Sequence, residues 1–292
     1  MSENNKNNKL EKLINKINAE NLIILEGAIS VLSALDSEYA KIVKIILLSD
    51  LQNKNTQKIL SLANHDIIEY FSDHEFNIFE DMINKSGFAN SYSIGKTHGG
   101  IIALAEKRRF LSPEDLMAML PKTIAIIEGI EDPYNLGYAA RALYTQGIDA
   151  LILPERDFGF SESVIEKAST GTFSKMPVAV FSKDLNAKIT LIDLLKRKKF
   201  RIYCIDKKVP ANSKVKISDI FGVKFADRTV FIIGGEKRGI SKDFLSNADE
   251  IVRIPYAKDF PHSLAAQTAA TVVSYEIHRQ RKQGDSKNGN KT

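Results

Sequence analysis

A single cysteine, Cys204, stands in 292 residues, so no internal disulfide can form and a reducing compartment fits. It lies in the strand-like run Arg201-Ile202-Tyr203-Cys204-Ile205, which predicts a buried structural thiol, because nucleophilic cysteines sit in exposed, electropositive surroundings. Histidine is sparse at five residues, and no His/Cys cluster has metal-ligand spacing, so no zinc site is expected. No window reaches the roughly 20 apolar residues a membrane helix needs. The start, Met1 to Lys9, is polar and Asn/Lys-rich where an export signal carries an apolar core. These absences point to a cytoplasmic protein with neither membrane nor metal as a partner.

Three catalytic or nucleotide signatures are also missing. No G-x-S-x-G elbow occurs, which removes the geometry of that class of serine hydrolase. Gly234 and Gly239 have phosphate-loop spacing, but the position that requires lysine is Ile240. The dinucleotide pattern G-x-G-x-x-G fails too, since the glycines fall at 234, 235 and 239 and the loop follows a late strand.

What is present is an ordinary globular composition, with 43% hydrophobic and 26% charged residues, long enough for two domains. The net charge of +5 is compatible with an anionic partner. It is concentrated in Lys107-Arg108-Arg109, Lys196 to Lys199, Lys207-Lys208 and Arg279 to Lys282, each either a track for phosphates or a solvated helix end.

From Asn21 to Phe110, strand-like runs at Ile42 to Leu48, Ile67 to Tyr70 and Ile101 to Ala105 alternate with helical stretches at Thr56 to Ala63 and Glu75 to Ile83. That alternation predicts a small α/β layer over 21–110, behind a flexible segment 1–20. Residues 111–122, with the helix-start signal Ser112-Pro113-Glu114-Asp115, read as a linker. Six strands follow, at Thr123 to Ile127, Ala150 to Leu153, Val178 to Phe181, Arg201 to Ile205, Thr229 to Ile233 and Glu250 to Ile254. Several are continuous apolar runs, which implies burial on both faces and a mostly parallel, doubly wound sheet over 123–282. A terminal helix is expected from Ser263 to about Lys282, and 283–292 reads as a disordered tail.

Three segments carry candidate chemistry. The first, Glu131 to Arg141, leaves a strand and enters a helix. Asn135 is a candidate N-cap, and Arg141, four residues after Gly137, leans back toward the helix start. A capped helix with a surface arginine fits equally. The second, Phe231 to Ser241, brings the backbone of Gly234 and Gly235 close to a ligand, with Glu236 as an acceptor. In the third, Ile254 to Gln267, Ser263 is either a helix cap or a site residue.

Taken in order, these segments resemble the three motifs of the SpoU/TrmH family of SPOUT methyltransferases. The first is Asn135, Gly137 and Arg141 with Gly147, the second Gly234, Gly235, Glu236 and Gly239, and the third Ile254, Pro255, Ser263 and Leu264. The front domain, with Glu26-Gly27 and His98-Gly99-Gly100-Ile101, is similar to the ribosomal-protein-like substrate-binding domain of many members. The resemblance implies a SPOUT domain with a deep trefoil knot, a homodimer, and S-adenosylmethionine held by Gly234, Gly235, Gly239, Ile254, Pro255 and Leu264, with Thr170 and Gly171 nearby. It implies methylation of a ribose 2′-hydroxyl in ribosomal or transfer RNA. Arg141 supplies electrostatic stabilisation, because its pKa is too high for a base, and Asn135, Glu236 and Ser263 fix its geometry. Lys96, Arg108 and Arg109 are the candidate RNA contacts of the front domain. The family commonly reads Ser-Leu-Asn in its third motif, and here the third position is Ala265. Gln267 stands two residues further on, where helical spacing points it elsewhere. An RNA-binding protein that keeps the fold with weak or no catalysis is the second reading.

Overall fold

The structure, a computed structural model, describes residues 3–85, 94–156, 161–206, 215–235 and 238–289. The chain begins with α1 (Glu3–Ala19), β1 (Ile23–Glu26), α2 (Gly27–Leu35), β2 (Ile42–Leu48), α3 (Lys54–Leu62), β3 (Ile68–Phe71), α4 (Asp73–Lys85) and β4 (Ile101–Ala105). It continues through α5 (Pro113–Ala118), β5 (Thr123–Ile127), α6 (Pro133–Thr145), β6 (Ala150–Pro154), α7 (Ser161–Ser169), α8 (Thr172–Lys175), β7 (Val178–Phe181) and α9 (Leu185–Arg197). Last come β8 (Arg201–Ile205), β9 (Lys216–Asp219), β10 (Thr229–Ile233), α10 (Lys242–Asn247), β11 (Glu250–Arg253) and α11 (Ala266–Gly289).

Two compact units form. The boundary falls between Arg109 and Phe110, ahead of the expected linker 111–122, which belongs to the second unit and places Leu116 and Met117 of α5 in its core. The second unit is not continuous either, since α7 and α8 belong to the first. Their chemistry explains why. Val164 of α7 enters the hydrophobic cluster around Ile24, Phe79 and Leu104, and Ile24 N donates to Ser163 Oγ at 3.0 Å.

The first unit is built on a four-stranded sheet of order β1-β4-β2-β3. Strand β4, buried along its whole length, pairs antiparallel with both β1 and β2, while β3 joins β2 in parallel. The segment expected to be flexible is the helix α1. Leu10, Leu13, Ile14 and Ile17 recur at helical spacing and are buried against Phe76, Phe79 and Ile83 of α4. The Asn/Lys-rich start hid an apolar stripe that begins after it.

The second unit holds a seven-stranded sheet of order β7-β6-β5-β10-β8-β11-β9. Every neighbouring pair is parallel. One strand more than expected is present because β9 is a largely exposed edge strand, without the apolar run by which buried strands are recognised. Sequence-adjacent β5 and β6 are sheet neighbours, whereas the other side of β5 receives β10. Strand order therefore reverses at β5, the kind of switch point where open α/β sheets bind ligands. In a parallel sheet all carboxyl ends share one edge, so the segments after β5, β10, β8 and β11 lie side by side there. Helix α11 starts at Ala266, later than expected, and runs to Gly289, past the expected end. A polar helix end bonds its own backbone, so polarity alone does not demand coil.

Candidate active site

The loops after β5 and β10 are locked together. Glu128 N donates to Ile233 O at 2.9 Å, and the Glu128 carboxylate takes Lys188 Nζ at 2.7 Å and Ser241 N at 2.8 Å. A Cβ on Gly235 would lie 2.6 Å from Gly129 O, and one on Gly234 would lie 2.1 Å from the carbonyl carbon of Gly239. Both glycines are thus demanded by backbone packed on backbone, where the sequence suggested close approach of a ligand. Gly234, Gly235 and Gly239 thus form a closely packed rim, with Gly239 N donating to Gly235 O at 2.8 Å.

Behind that rim lies a pocket that gathers Gly234, Gly235, Gly239, Ile254, Ser263 and Leu264 from three segments of the chain. Pro255, next to Ile254, is exposed. Two polar lining residues were not anticipated. Asp206 follows β8 and brings a carboxylate, and Tyr256 accepts the Leu264 N–H on its hydroxyl at 2.9 Å. A charged residue directly after a buried parallel strand was the signal for Asp206. Apolar walls from Ile205, Ile233, Ile240 and Leu264 beside one acid suit a flat heterocycle joined to a polar, cationic group.

A second crevice, of about 820 Å³, shares Gly235 and Gly239 with this pocket and extends over Asn135, Arg156, Lys183, Arg238 and Gln267. Asn135 is not the N-cap of α6. Asp132 is, its Oδ1 accepting Asn135 N at 2.8 Å, with Pro133 in the first turn. This frees the Asn135 side chain, whose Oδ1 accepts from Gln267 Nε2 at 3.0 Å. Gln267 therefore does reach the first motif. Position 265 precedes α11 and position 267 lies inside it, so helical spacing does not relate them. Arg156 Nη1 donates to Ile130 O at 2.7 Å and Glu131 O at 3.1 Å, pinning the loop that leads into α6. Burial lowers the pKa of this guanidinium.

Apart from Ser263, which lines the pocket, the remaining predicted residues fall elsewhere. Arg141 is exposed on α6 and lines neither cavity. Glu236 lies outside the described residues, as do Lys207 and Lys208. Ser263 is exposed and does not cap α11, whose first-turn bonds go to Ala265 O. Thr170 and Gly171 form the turn between α7 and α8 in the first unit, where a Cβ on Gly171 would meet Ser33 Cβ at 2.5 Å. They pack against α2 and line neither cavity. Lys96 and Arg109 are exposed.

Arg108 requires a correction. It is 7% exposed, with Nη1 donating to Phe173 O and its guanidinium over the rings of Tyr39 and Phe173. Its backbone N–H donates to the buried Glu162 carboxylate at 2.8 Å. Burial lowers the Arg108 pKa to about 10 and raises that of Glu166 to about 7. A guanidinium enclosed in this way holds the first unit together and is not available to a phosphate. Cys204 is buried, and burial pushes its thiol upward, in keeping with the structural thiol expected. Among the described residues, no group of three or more His, Cys, Asp or Glu is placed to hold a metal ion, and no helix is long and apolar enough to cross a membrane.

Residues 122–275 match the SpoU rRNA Methylase family. The chain is 31% identical over 189 residues to an uncharacterized tRNA/rRNA methyltransferase of Mycolicibacterium paratuberculosis, covering 63% of this chain and 57% of that protein. It thus spans little more than half the length of this relative. A protein of Staphylococcus epidermidis assigned to the TrmH family of tRNA/rRNA methyltransferases is 31% identical over 196 residues, covering 65% of this chain and 74% of that protein. In fold, the chain is similar to the SpoU methyltransferase AviRb of Streptomyces viridochromogenes crystallised with AdoMet, at a TM-score of 0.66 and 19% identity, covering 92% of this chain and 93% of that one. Since the family match takes in the strand ends that build both cavities, the chain belongs to the SpoU rRNA methylase family.

Proposed function

We propose that the protein methylates a ribose 2′-hydroxyl of ribosomal or transfer RNA with S-adenosylmethionine as methyl donor. One observation carries the reading: three segments far apart in sequence meet at the carboxyl edge of the parallel sheet, and the pocket and crevice they form share Gly235 and Gly239. Two adjoining cavities suit two reactants brought together for transfer. The pocket residues fit the donor, with Gly234, Gly235, Gly239, Ile254 and Leu264 enclosing its nucleoside, Pro255 adjoining them outside the pocket, and the Asp206 carboxylate facing its hydroxyls or positive charge. When bound, the donor supplies an electrophilic methyl group on a sulfonium.

The chain's own work is then positioning and proton removal. Asn135 and Gln267 form one wall of the acceptor side, and Arg156 keeps the loop before α6 in place. Arg141 stabilises the acceptor phosphate and the alkoxide that develops on the ribose, with Asn135, Glu236 and Ser263 as the groups that orient it. A hydroxyl acceptor needs no nucleophilic thiol, which agrees with the burial of Cys204. The reading extends to a trefoil knot formed by the last strands and α11, to RNA binding by the first unit through Lys96 and Arg109, and to a cytoplasmic site of action. It also includes a homodimer, supported by Tyr134 and Tyr138 on α6 and Tyr275 on α11, which are 49%, 52% and 59% exposed. The partner's α6 would then present Arg141 to the crevice.

Calorimetric titration with S-adenosylmethionine and transfer of labelled methyl groups to ribosomal and transfer RNA test the proposal. Saturable binding and alkali-resistant phosphodiesters in the product are expected. The absence of both binding and transfer to either RNA refutes it.

A further inference from the structure

We propose that the amino edge of the seven-stranded sheet, opposite the edge that carries the two cavities, is a second RNA surface. A basic ridge there grips phosphates of an RNA segment remote from the methylated nucleotide. The proposal rests on the methyltransferase reading and adds to it where the rest of the RNA is held.

Three neighbouring strands, β5, β10 and β8, are each entered through a basic residue. Lys122 precedes β5, Arg228 precedes β10 and Arg201 opens β8. Register sets them side by side, with Thr229 opposite both Thr123 and Arg201. Backbone bonds close the row, Thr229 N donating to Lys122 O at 2.8 Å and Arg201 N to Arg228 O at 2.9 Å. Helix α9 leads into β8 and so ends at this edge, bringing Lys196, Arg197, Lys198 and Lys199, all exposed. The run Lys196 to Lys199, which fits a phosphate track or a solvated helix end on sequence alone, thus continues across three strands. A helix end attracts cations to its own last turn, which gives no reason for Lys122 or Arg228.

The protein itself neutralises little of this charge. Asp149 Oδ2 accepts Lys122 N and Thr123 N, both at 2.8 Å, and Asp249 Oδ2 accepts Ile202 N at 2.7 Å. Glu250 takes Arg201 at 3.1 Å and Lys216 at 2.8 Å, and Asp227 is exposed. Lys196 Nζ donates to the neutral Asn247 side chain at 2.7 Å. Lys122, Arg197, Lys198, Lys199 and Arg228 form no ion pair among the described residues. Arg228 is held by stacking instead, its guanidinium 4.5 Å from the centroid of the buried Phe200 ring. Lys199 has a φ of 60°, the left-handed position past a helix end where glycine is the unstrained residue. A charge therefore stands where conformation alone asks for glycine.

Cations in a row without carboxylate partners fit the repeating negative charge of a nucleic-acid strand. A five-residue strand such as β5 is about 16 Å long, so RNA on this edge is a different segment from the one at the crevice. A large folded RNA can reach both edges, and a short oligonucleotide cannot.

The test compares the full chain with the quadruple variant Lys122→Ala, Arg197→Ala, Lys198→Ala, Lys199→Gly. Binding to ribosomal and transfer RNA is read by fluorescence anisotropy without donor, and methyl transfer is read separately. The variant should lose RNA affinity about tenfold or more at physiological salt, and its slope of log affinity against log salt should fall by about 2–4. KM for RNA should rise in step, with kcat and the S-adenosylmethionine Kd within about twofold of wild type. Lys199→Gly should hold or raise the melting temperature, since it relieves the left-handed backbone. If the quadruple variant melts early, the pair Lys122→Ala and Lys198→Ala carries the same test at about half the slope change.

A variant that keeps wild-type RNA affinity and salt slope overturns the proposal. Unchanged RNA affinity with lost binding to phosphatidylglycerol vesicles assigns the ridge to lipid headgroups and overturns it too. Ridge-dependent RNA binding by a wild type that neither binds the donor nor transfers methyl overturns the methyltransferase reading alone and leaves the RNA surface standing.

Discussion

In the first unit, buried charge is met from within: Glu26 takes Lys167 at 3.0 Å and Gly95 N at 3.3 Å, Glu162 takes Arg108 N, and Glu166 takes Ser174 Oγ at 2.7 Å. At the sheet edge of the second unit, Ser241 and Gln267 keep buried oxygens without a protein partner, beside glycines packed backbone on backbone. The same chemistry, polar groups removed from water, has two outcomes. Where the fold gives a buried carboxylate its donors, the cluster serves stability. Single buried atoms without a hydrogen bond occur in both units, Arg108 Nε in the first as well as Ser241 Oγ and Gln267 Oε1 in the second.

The sharpest way to break this contrast is Arg108→Ala. Removing one member of a buried charged cluster leaves the others uncompensated, so the first unit should lose about 3–5 kcal/mol, read by denaturant unfolding at pH 8. Affinity for S-adenosylmethionine in the second unit should be retained in the fraction that stays folded. An arginine that served only RNA would show the reverse, with normal unfolding and weakened RNA binding.

Next in size is the pH response of Glu166. Its pKa rises from 4.5 to about 7 because burial penalises the charged form. The folded chain therefore holds this proton where the unfolded chain has released it. The contribution to stability is complete below pH 4.5 and is lost as pH climbs toward 7, a change of about 3 kcal/mol. Glu166→Gln, which cannot ionise, should flatten the fall in melting temperature between pH 5 and pH 8.

At the site, Gly234→Ala forces a Cβ to within 2.1 Å of the Gly239 carbonyl carbon, and the rim must shift to admit it. Overpacking of this kind costs about 1–3 kcal/mol, which should weaken donor binding about 5- to 100-fold in a titration. The first unit's unfolding should be unaffected. The smallest effect is a gain. Ala265 O accepts Thr268 N and Ala269 N at 2.9 and 3.0 Å, which makes residue 265 the N-cap of α11 without a capping side chain. Ala265→Asn should raise stability by about 1 kcal/mol. If it also increases methyl transfer several-fold, the amide usual in the family matters here beyond capping, and Gln267 only partly replaces it.

Much of the framework was legible in advance. Strands β4, β5, β7, β8 and β10 occupy the residues their apolar runs predict, because burial on both faces imposes an unbroken hydrophobic signature. The glycines of the second motif and the third-motif residues Ile254, Ser263 and Leu264 do line a common pocket. Edge strand β9, with no such burial, left no mark, and α1 was obscured by the polar start that precedes its apolar stripe. Arg108 was misread for a related reason. A basic triplet looks the same whether its middle member faces solvent or lies between Tyr39 and Phe173.

The order of apolar runs, glycines and helix-start signals determined, without help from the rest of the molecule, that this chain forms parallel strands and where the loops at their carboxyl ends lie. Periodicity and turn chemistry are local properties, written within a few residues of where they act. Only the tertiary structure decided that Asp132 and not Asn135 caps α6, that Gln267 reaches Asn135 across 132 positions, and that α7 and α8 join the first unit. Those outcomes depend on which surfaces meet once the sheets have formed, and a pairing between residues so far apart has no signature in the neighbourhood of either.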